Sequence, residues 1–181
     1  MNTAGIDVGF DTIKIAIMAD GRIVAKATCD AGCIDREGNI DRLYAESLAA
    51  AGLASGDVGN VVAAGIGKYS VRFASDHISD AVAAAKAAKY FFNDTVSVVD
   101  VGADKTRVVT LDGDGIGEVV LNQKCMAGLG LVLDVMSHRL GYTLDEISGF
   151  EPGADKGTFV NDGCPVFAEL DSLEELNNGT P

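Results

Sequence analysis

Two stretches decide the fold: GIDVGFDTIKIAIMADGRIVAKAT, residues 5–28, and VVDVGADKTRVVTLDGDGIGEVVL, residues 98–121. Each opens with a short apolar run that ends in Asp-x-Gly. A run rich in β-branched residues follows, then an Asp-Gly turn, then a third apolar run. Asp-Gly between two such runs is a strong hairpin signal, so each stretch reads as a three-strand meander. Asp7 and Gly9 of the first copy match Asp100 and Gly102 of the second, and each copy continues with a threonine and a basic residue (Thr12 and Lys14; Thr106 and Arg107). One Asp-x-Gly would simply end a strand. Two in matching contexts are an internal repeat, and internal repeats set the architecture.

The chain between the copies supports this. Residues 40–52 carry apolar positions at helical spacing and end on Gly52. NVVAAGIG, 60–67, suits a buried parallel strand. SDHISDAVAAAKAAKYFF, 75–92, contains neither Pro nor Gly and predicts one long helix capped by Ser75 or Asp76. LVLDVMSHRL, 131–140, predicts a helix after the second meander. The expectation is an α/β fold of two similar lobes facing a cleft, with boundaries at 1–94 and 95–181.

Bulk properties narrow the partners. The 181 residues are 48% hydrophobic and 23% charged, which suits a packed core, and the net charge is −13. That balance, with basic residues scattered singly, argues against nucleic acid and anionic membrane surfaces. No apolar run is long enough to span a bilayer, and the first residues lack the pattern of a secretory signal, so the expected location is the cytoplasm. Four cysteines in a reducing compartment read as free thiols or metal ligands rather than disulfides. Cys29 and Cys33, a C-x3-C pair without a partner pair, read as ordinary loop thiols.

A glycine after a strand-end Asp lets the chain turn sharply, so that backbone N–H groups can cradle phosphate and the carboxylate can hold Mg²⁺ through water. Asp7 and Asp100 are the candidate catalytic carboxylates. Two such hairpins would clamp a nucleotide's phosphates, with positioning and charge neutralisation supplying most of the catalysis. Separately, Cys125 precedes MAGLG and an apolar helix, where the positive end of the helix dipole favours a thiolate. Cys164 lies in NDGCPVFAELD, too far along the chain to form a compact C-x2-C knuckle with Cys125. Two such ligands per chain would make a four-thiolate cluster only if two chains shared it. Two unrelated buried thiols are the competing reading.

The set GIDVGFDTIK, VVDVGADKTR, NQKCMAGLG and CPVFAELD resembles the activator/ATPase family of 2-hydroxyacyl-CoA dehydratases and benzoyl-CoA reductases. The similarity runs nearly the whole length, and the K-C-x-A-G-x-G and C-x-V-F-A-E-x-[ED] settings are its specific part. It implies an RNase H-like fold in each lobe, of the actin, heat-shock-chaperone and sugar-kinase superfamily. It also implies Mg²⁺ and ATP framed by Asp7, Gly9, Thr12, Lys14, Asp100, Gly102, Ala103 and Thr106. Cys125 and Cys164 would ligate a 4Fe–4S cluster shared between two chains, identical or related. Hydrolysis would drive a low-potential electron to an iron–sulfur reductase or dehydratase component.

Three departures bear on that expectation. The second hairpin reads DVGADK where dehydratase activators read D-x-G-G-Q-D, so Ala103 replaces a glycine and Lys105 an acid. The chain ends at NNGTP, without the Gly-Gly segment that contacts adenosine in the family, so the second lobe is expected to be incomplete. FEPGADKGTF, 150–159, reads as a mobile loop. A structural subunit that keeps the dimer or cluster site without turning over ATP is the alternative. A sugar- or acetate-type kinase would use the same hairpins but leaves the paired cysteines unexplained. His77, His138, Asp134, Arg139 and the acidic run ELDSLEEL read as packing or solvated positions, while Lys124 could lower the Cys125 thiol pKa or face a cluster, or simply be surface-exposed.

Overall fold

The computed structural model describes residues 1–32, 34–113, 115–150 and 157–180. The chain folds as two compact units, Met1–Thr95 and Val96–Pro181.

The first unit is built on the first meander: β1 (Asn2–Val8), β2 (Thr12–Ala19) and β3 (Arg22–Asp30). Asp20 and Gly21 form the two-residue turn between β2 and β3, with φ of 50° and 76°. Both central residues at positive φ define the primed turn whose twist matches paired strands, which is why Asp-Gly occurs here. A crossover through α1 (Arg36–Ala51) leads to β4 (Val58–Ala64), which pairs parallel with β1. A short β5 (Asp76–His77) then completes a mixed sheet of order β3-β2-β1-β4-β5.

Strand alternation sorts the side chains. Ala4, Ile6 and Val8 of β1 and Ile13, Ile15 and Ile17 of β2 point to one face, where they are buried with Ile40, Leu43, Tyr44 and Leu48 of α1. Gly5, Asp7 and Lys14 therefore face the other side, as a period of two requires. There the sheet and α2 (Asp80–Phe91) border an apolar groove of about 800 Å³.

Both helices depart from the expected bounds. α1 begins a turn earlier than its apolar periodicity, because Asp35 accepts the Gly38 N–H and caps it. α2 begins later than expected. The Ser75 N–H donates to Val61 O at 2.7 Å and the Ile78 N–H to Ala63 O at 2.9 Å, so this segment extends the sheet. Ser79, not Ser75 or Asp76, then caps the helix. Cys29, expected in a loop, lies in β3 and packs against the core. Cys33 and most of the loop 150–159 lie outside the described residues.

The second unit repeats the meander as β6 (Ser97–Val101), β7 (Thr106–Asp112) and β8 (Gly115–Leu121), an antiparallel sheet of order β6-β7-β8. Val109 is its fully buried strand residue, while Val99, Val119, Val120 and Leu121 are exposed. Among the described residues three helices follow: α3 (Leu129–Leu140), α4 (Leu144–Ser148) and α5 (Pro165–Asn177). Thr143 and Glu146 form a capping box at the start of α4. No helix among the described residues is long and apolar enough to cross a membrane.

Candidate functional site

The two hairpins repeat down to their ion pairs. In the first, the Gly9 N–H donates to Thr12 O at 2.9 Å; in the second, the Gly102 N–H donates to Lys105 O at 2.8 Å. Asp7 pairs across the ladder with Lys14, and Asp100 with Arg107. The ion pairs measure 3.4 Å for Lys14–Asp7 and 2.9 Å for Arg107–Asp100. They differ in exposure: the side chain of Lys14 is 57% exposed and that of Arg107 only 13%. The first cation can swing to meet an anion, whereas the second is largely covered. Lys14 also donates to the Thr12 hydroxyl at 2.7 Å, which gathers Asp7, Thr12 and Lys14 into one cluster.

Two details differ from the sequence reading. The amides of Gly9 and Gly102 are used inside their own turns, so a phosphate would meet other amides of the hairpins. By register, Thr12 corresponds to Lys105 rather than to Thr106. The Thr106 hydroxyl donates to Ala127 O at 2.7 Å and so braces the segment after Cys125.

Asp80 was missed. It accepts the Gly65 N–H at 2.7 Å. Gly65 has φ +89°, and a Cβ there would lie 2.3 Å from Val8 O and 2.6 Å from Asp7 Oδ1. Asp7 and Asp80 thus approach one another across a residue that must be glycine. Placing the helix start at Ser75 hid this acid, which is the first residue of α2.

Besides the Thr106 hydroxyl, backbone hydrogen bonds tie the second turn to the cysteine-bearing segment. The N–H groups of Gly130 and Leu131 donate to Gly102 O at 3.1 Å and Ala103 O at 3.3 Å. A Cβ at Gly130 would sit 2.8 Å from Ala103 Cα, and one at Gly128 would sit 2.7 Å from Ala103 O. Close approach explains both glycines of the MAGLG run, and it places Cys125 one short turn away from the hairpin of Asp100.

Cys125 is exposed and opens the short helical turn Cys125–Ala127. Cys164 is partly buried and is the N-cap of α5, with Pro165 at the first helical position. The two segments meet. The Met126 N–H donates to Gly163 O at 3.4 Å, and Lys124 Nζ lies 2.9 Å from Asp162 Oδ2. That hydrogen bond, with the charge of Lys124, holds the Asp162 carboxyl below its ordinary value. A groove between α3 and α5 is lined by both Cys125 and Pro165. The acidic run of α5 is not simply a solvated face: Glu169 pairs with Arg139 of α3, and Asp171 accepts the Asn161 N–H at 2.9 Å. Among the described residues no group of three or more His, Cys, Asp or Glu could hold a metal. Cys125 and Cys164 thus lie on two segments that touch through the Met126–Gly163 hydrogen bond.

A duplicated meander whose first strand ends in Asp-x-Gly, with a parallel strand added to the first copy through a crossover helix, defines the actin-like ATPase class of α/β proteins. The model of the BadF/BadG/BcrA/BcrD ATPase family matches residues 4–180, and the chain belongs to that family. It is 32% identical to the activator of lactoyl-CoA dehydratase from Anaerotignum propionicum, over 99% of this chain and 69% of that protein. Component A of (R)-2-hydroxyglutaryl-CoA dehydratase from Acidaminococcus fermentans superposes with a TM-score of 0.89 at 28% identity, covering 100% of this chain and 70% of that one. The activator of 2-hydroxyisocaproyl-CoA dehydratase from Clostridium difficile, with bound ADPNP, gives 0.88 at 27% identity, over 99% and 67%.

Proposed function

We propose that this chain is the ATP-dependent electron-transfer component of a 2-hydroxyacyl-CoA dehydratase or benzoyl-CoA reductase type system. The observation that carries the reading is the meeting of the Cys125 and Cys164 segments, directly beside a turn of the nucleotide-hairpin type. Asp7, Thr12 and Lys14 on one hairpin, with Asp100 and Gly102 on the other, would bind Mg²⁺ and the phosphates of ATP. Asp80 would stand beside Asp7 to orient the attacking water. Cys125 and Cys164 from each of two chains, identical or related, would hold one 4Fe–4S cluster, which supplies one-electron chemistry at low potential when bound. The acceptor would be an iron–sulfur dehydratase or reductase component carrying the acyl-CoA. The backbone contact between the 102–103 turn and α3 gives ATP turnover a route to Cys125, because a shift of the turn carries the start of the helix with it.

Anaerobic purification tests this. Wild-type protein should carry iron and sulfide at about one cluster per two chains, from the count of thiolate ligands. Cys125→Ser and Cys164→Ser should each lose it. Fresh wild-type protein without iron would overturn the reading.

One observation favours a second reading. Asp100 lies 2.9 Å from a nearly buried Arg107, and Ala103 and Lys105 stand in the same turn. A subunit that keeps the cluster site without hydrolysing ATP would bear such a turn. Titration with Mg-ATP separates the two: micromolar binding with phosphate release supports the first, and no binding supports the second.

A further inference from the structure

Cys164 sits at a helix start, yet its side chain makes no capping hydrogen bond. The usual N-cap residues turn an oxygen back onto the first helical amides and are fixed by doing so. A cysteine in that place is not fixed this way, so the direction of its sulfur must be set from elsewhere. The structure shows from where. Asn161 Oδ1 accepts two amides at once, Gly163 N–H at 3.0 Å and Cys164 N–H at 2.8 Å. Asn161 is itself held by Asp171 of α5, whose Oδ2 accepts the Asn161 N–H at 2.9 Å. The same Gly163 offers its carbonyl to the Met126 N–H, next to Cys125. One path of hydrogen bonds thus runs from α5 through Asn161 to both cysteine segments.

We propose that Asn161, oriented by Asp171, is the positioning residue that sets the direction of Cys164 relative to Cys125 for cluster ligation; this rests on the cluster reading above. The other link between the segments, Lys124–Asp162, cannot do the same work. Its side chains are 55% and 75% exposed, and an exposed ion pair holds its partners loosely and is screened by salt. Asn161 instead fixes the backbone on either side of Gly163, and with it the Cα–Cβ bond of Cys164 from which the sulfur projects. Groups that orient metal ligands in this manner change metal affinity by about 10–100-fold when removed.

The test compares Asn161→Ala, Asn161→Asp and wild type, each as the full chain reconstituted anaerobically with ferrous iron and sulfide. Iron transfer to a chelator and hydrogen exchange at the Gly163 and Cys164 amides are both followed. Asn161→Ala should release iron about 10–100-fold faster. Asn161→Asp keeps an oxygen in place and should restore the wild-type rate, which a mere loss of folding stability would not predict. Cys164 exchange should speed up in the Ala variant alone. Equal iron release in Asn161→Ala and wild type, or an Asp variant as leaky as the Ala variant, overturns the proposal. A wild-type chain that takes up no iron overturns the cluster reading instead. The exchange data are read independently of the iron: unchanged exchange at Cys164 in Asn161→Ala refutes the positioning by Asn161 even where wild type takes up iron.

Discussion

Gly130→Ala is the sharpest probe of the contact between the second hairpin and the cysteine segment. An added Cβ would lie 2.8 Å from Ala103 Cα, 3.1 Å from Ala103 N and 3.2 Å from Gly102 O. All three are backbone atoms, so no side-chain rotation can relieve the crowding. Alanine gains about 1 kcal/mol over glycine inside a helix. Overpacking costs about 1–3 kcal/mol, and three backbone contacts put this case in the upper half of that range. The net expectation is a loss of about 1–2 kcal/mol, from the same two effects. Urea unfolding reads it as a lower midpoint, and hydrogen exchange at the Leu131 amide, which donates to Ala103 O, reads it locally. Gly5→Ala is the control, since a Cβ there meets nothing within 4 Å. It should be neutral or stabilising by up to about 1 kcal/mol. A Gly130→Ala protein as stable as wild type, with unchanged exchange at Leu131, would refute the close-packed contact.

Three further outcomes follow from named residues. Ile17 is fully buried between β2 and α1, so Ile17→Ala should cost about 2–5 kcal/mol, and a midpoint shift worth less than 1 kcal/mol would contradict its placement in the core. Lys14→Ala removes an ion pair exposed on both sides and should cost less than about 1 kcal/mol of stability. Weakened Mg-ATP binding in that variant then measures a phosphate contact, and unaltered binding would remove Lys14 from the site. Asp162 is held below its ordinary pKa by Lys124. A lowered folded-state value means the tie is present above the ordinary aspartate range and is lost as pH falls through the lowered value. Carbon NMR should therefore show Asp162 titrating below a free aspartate and returning to the ordinary value in Lys124→Met; an ordinary value in wild type would refute the hydrogen bond.

Much of the fold was legible because its determinants are local. The Asp20-Gly21 turn needs positive φ, the strands alternate, and the two copies of Asp-x-Gly can be aligned by eye. What escaped depended on choices made between distant segments. Ser75 and Ser79 are equivalent as caps in the sequence, and only pairing of residues 75–78 with β4 selects Ser79. With the helix start misplaced, Asp80 stayed hidden. Glu169 and Asp171 looked solvated because their partners, Arg139 and Asn161, come from other elements. The glycines of MAGLG gave a motif without a reason. The reason is the turn at Ala103, which no local pattern could reveal.

The repeat is not symmetric at its margins. β1 is hydrogen-bonded on both flanks, by β2 and β4, whereas β6, its counterpart, has β7 on one flank and no strand on the other among the described residues. A sheet flank without a neighbouring strand is adhesive toward any extended peptide. The net charge of −13 keeps copies apart at low ionic strength, but added salt weakens that repulsion while leaving backbone pairing intact. Storage in concentrated brine should therefore make this protein stickier, the reverse of what its acidity alone would suggest.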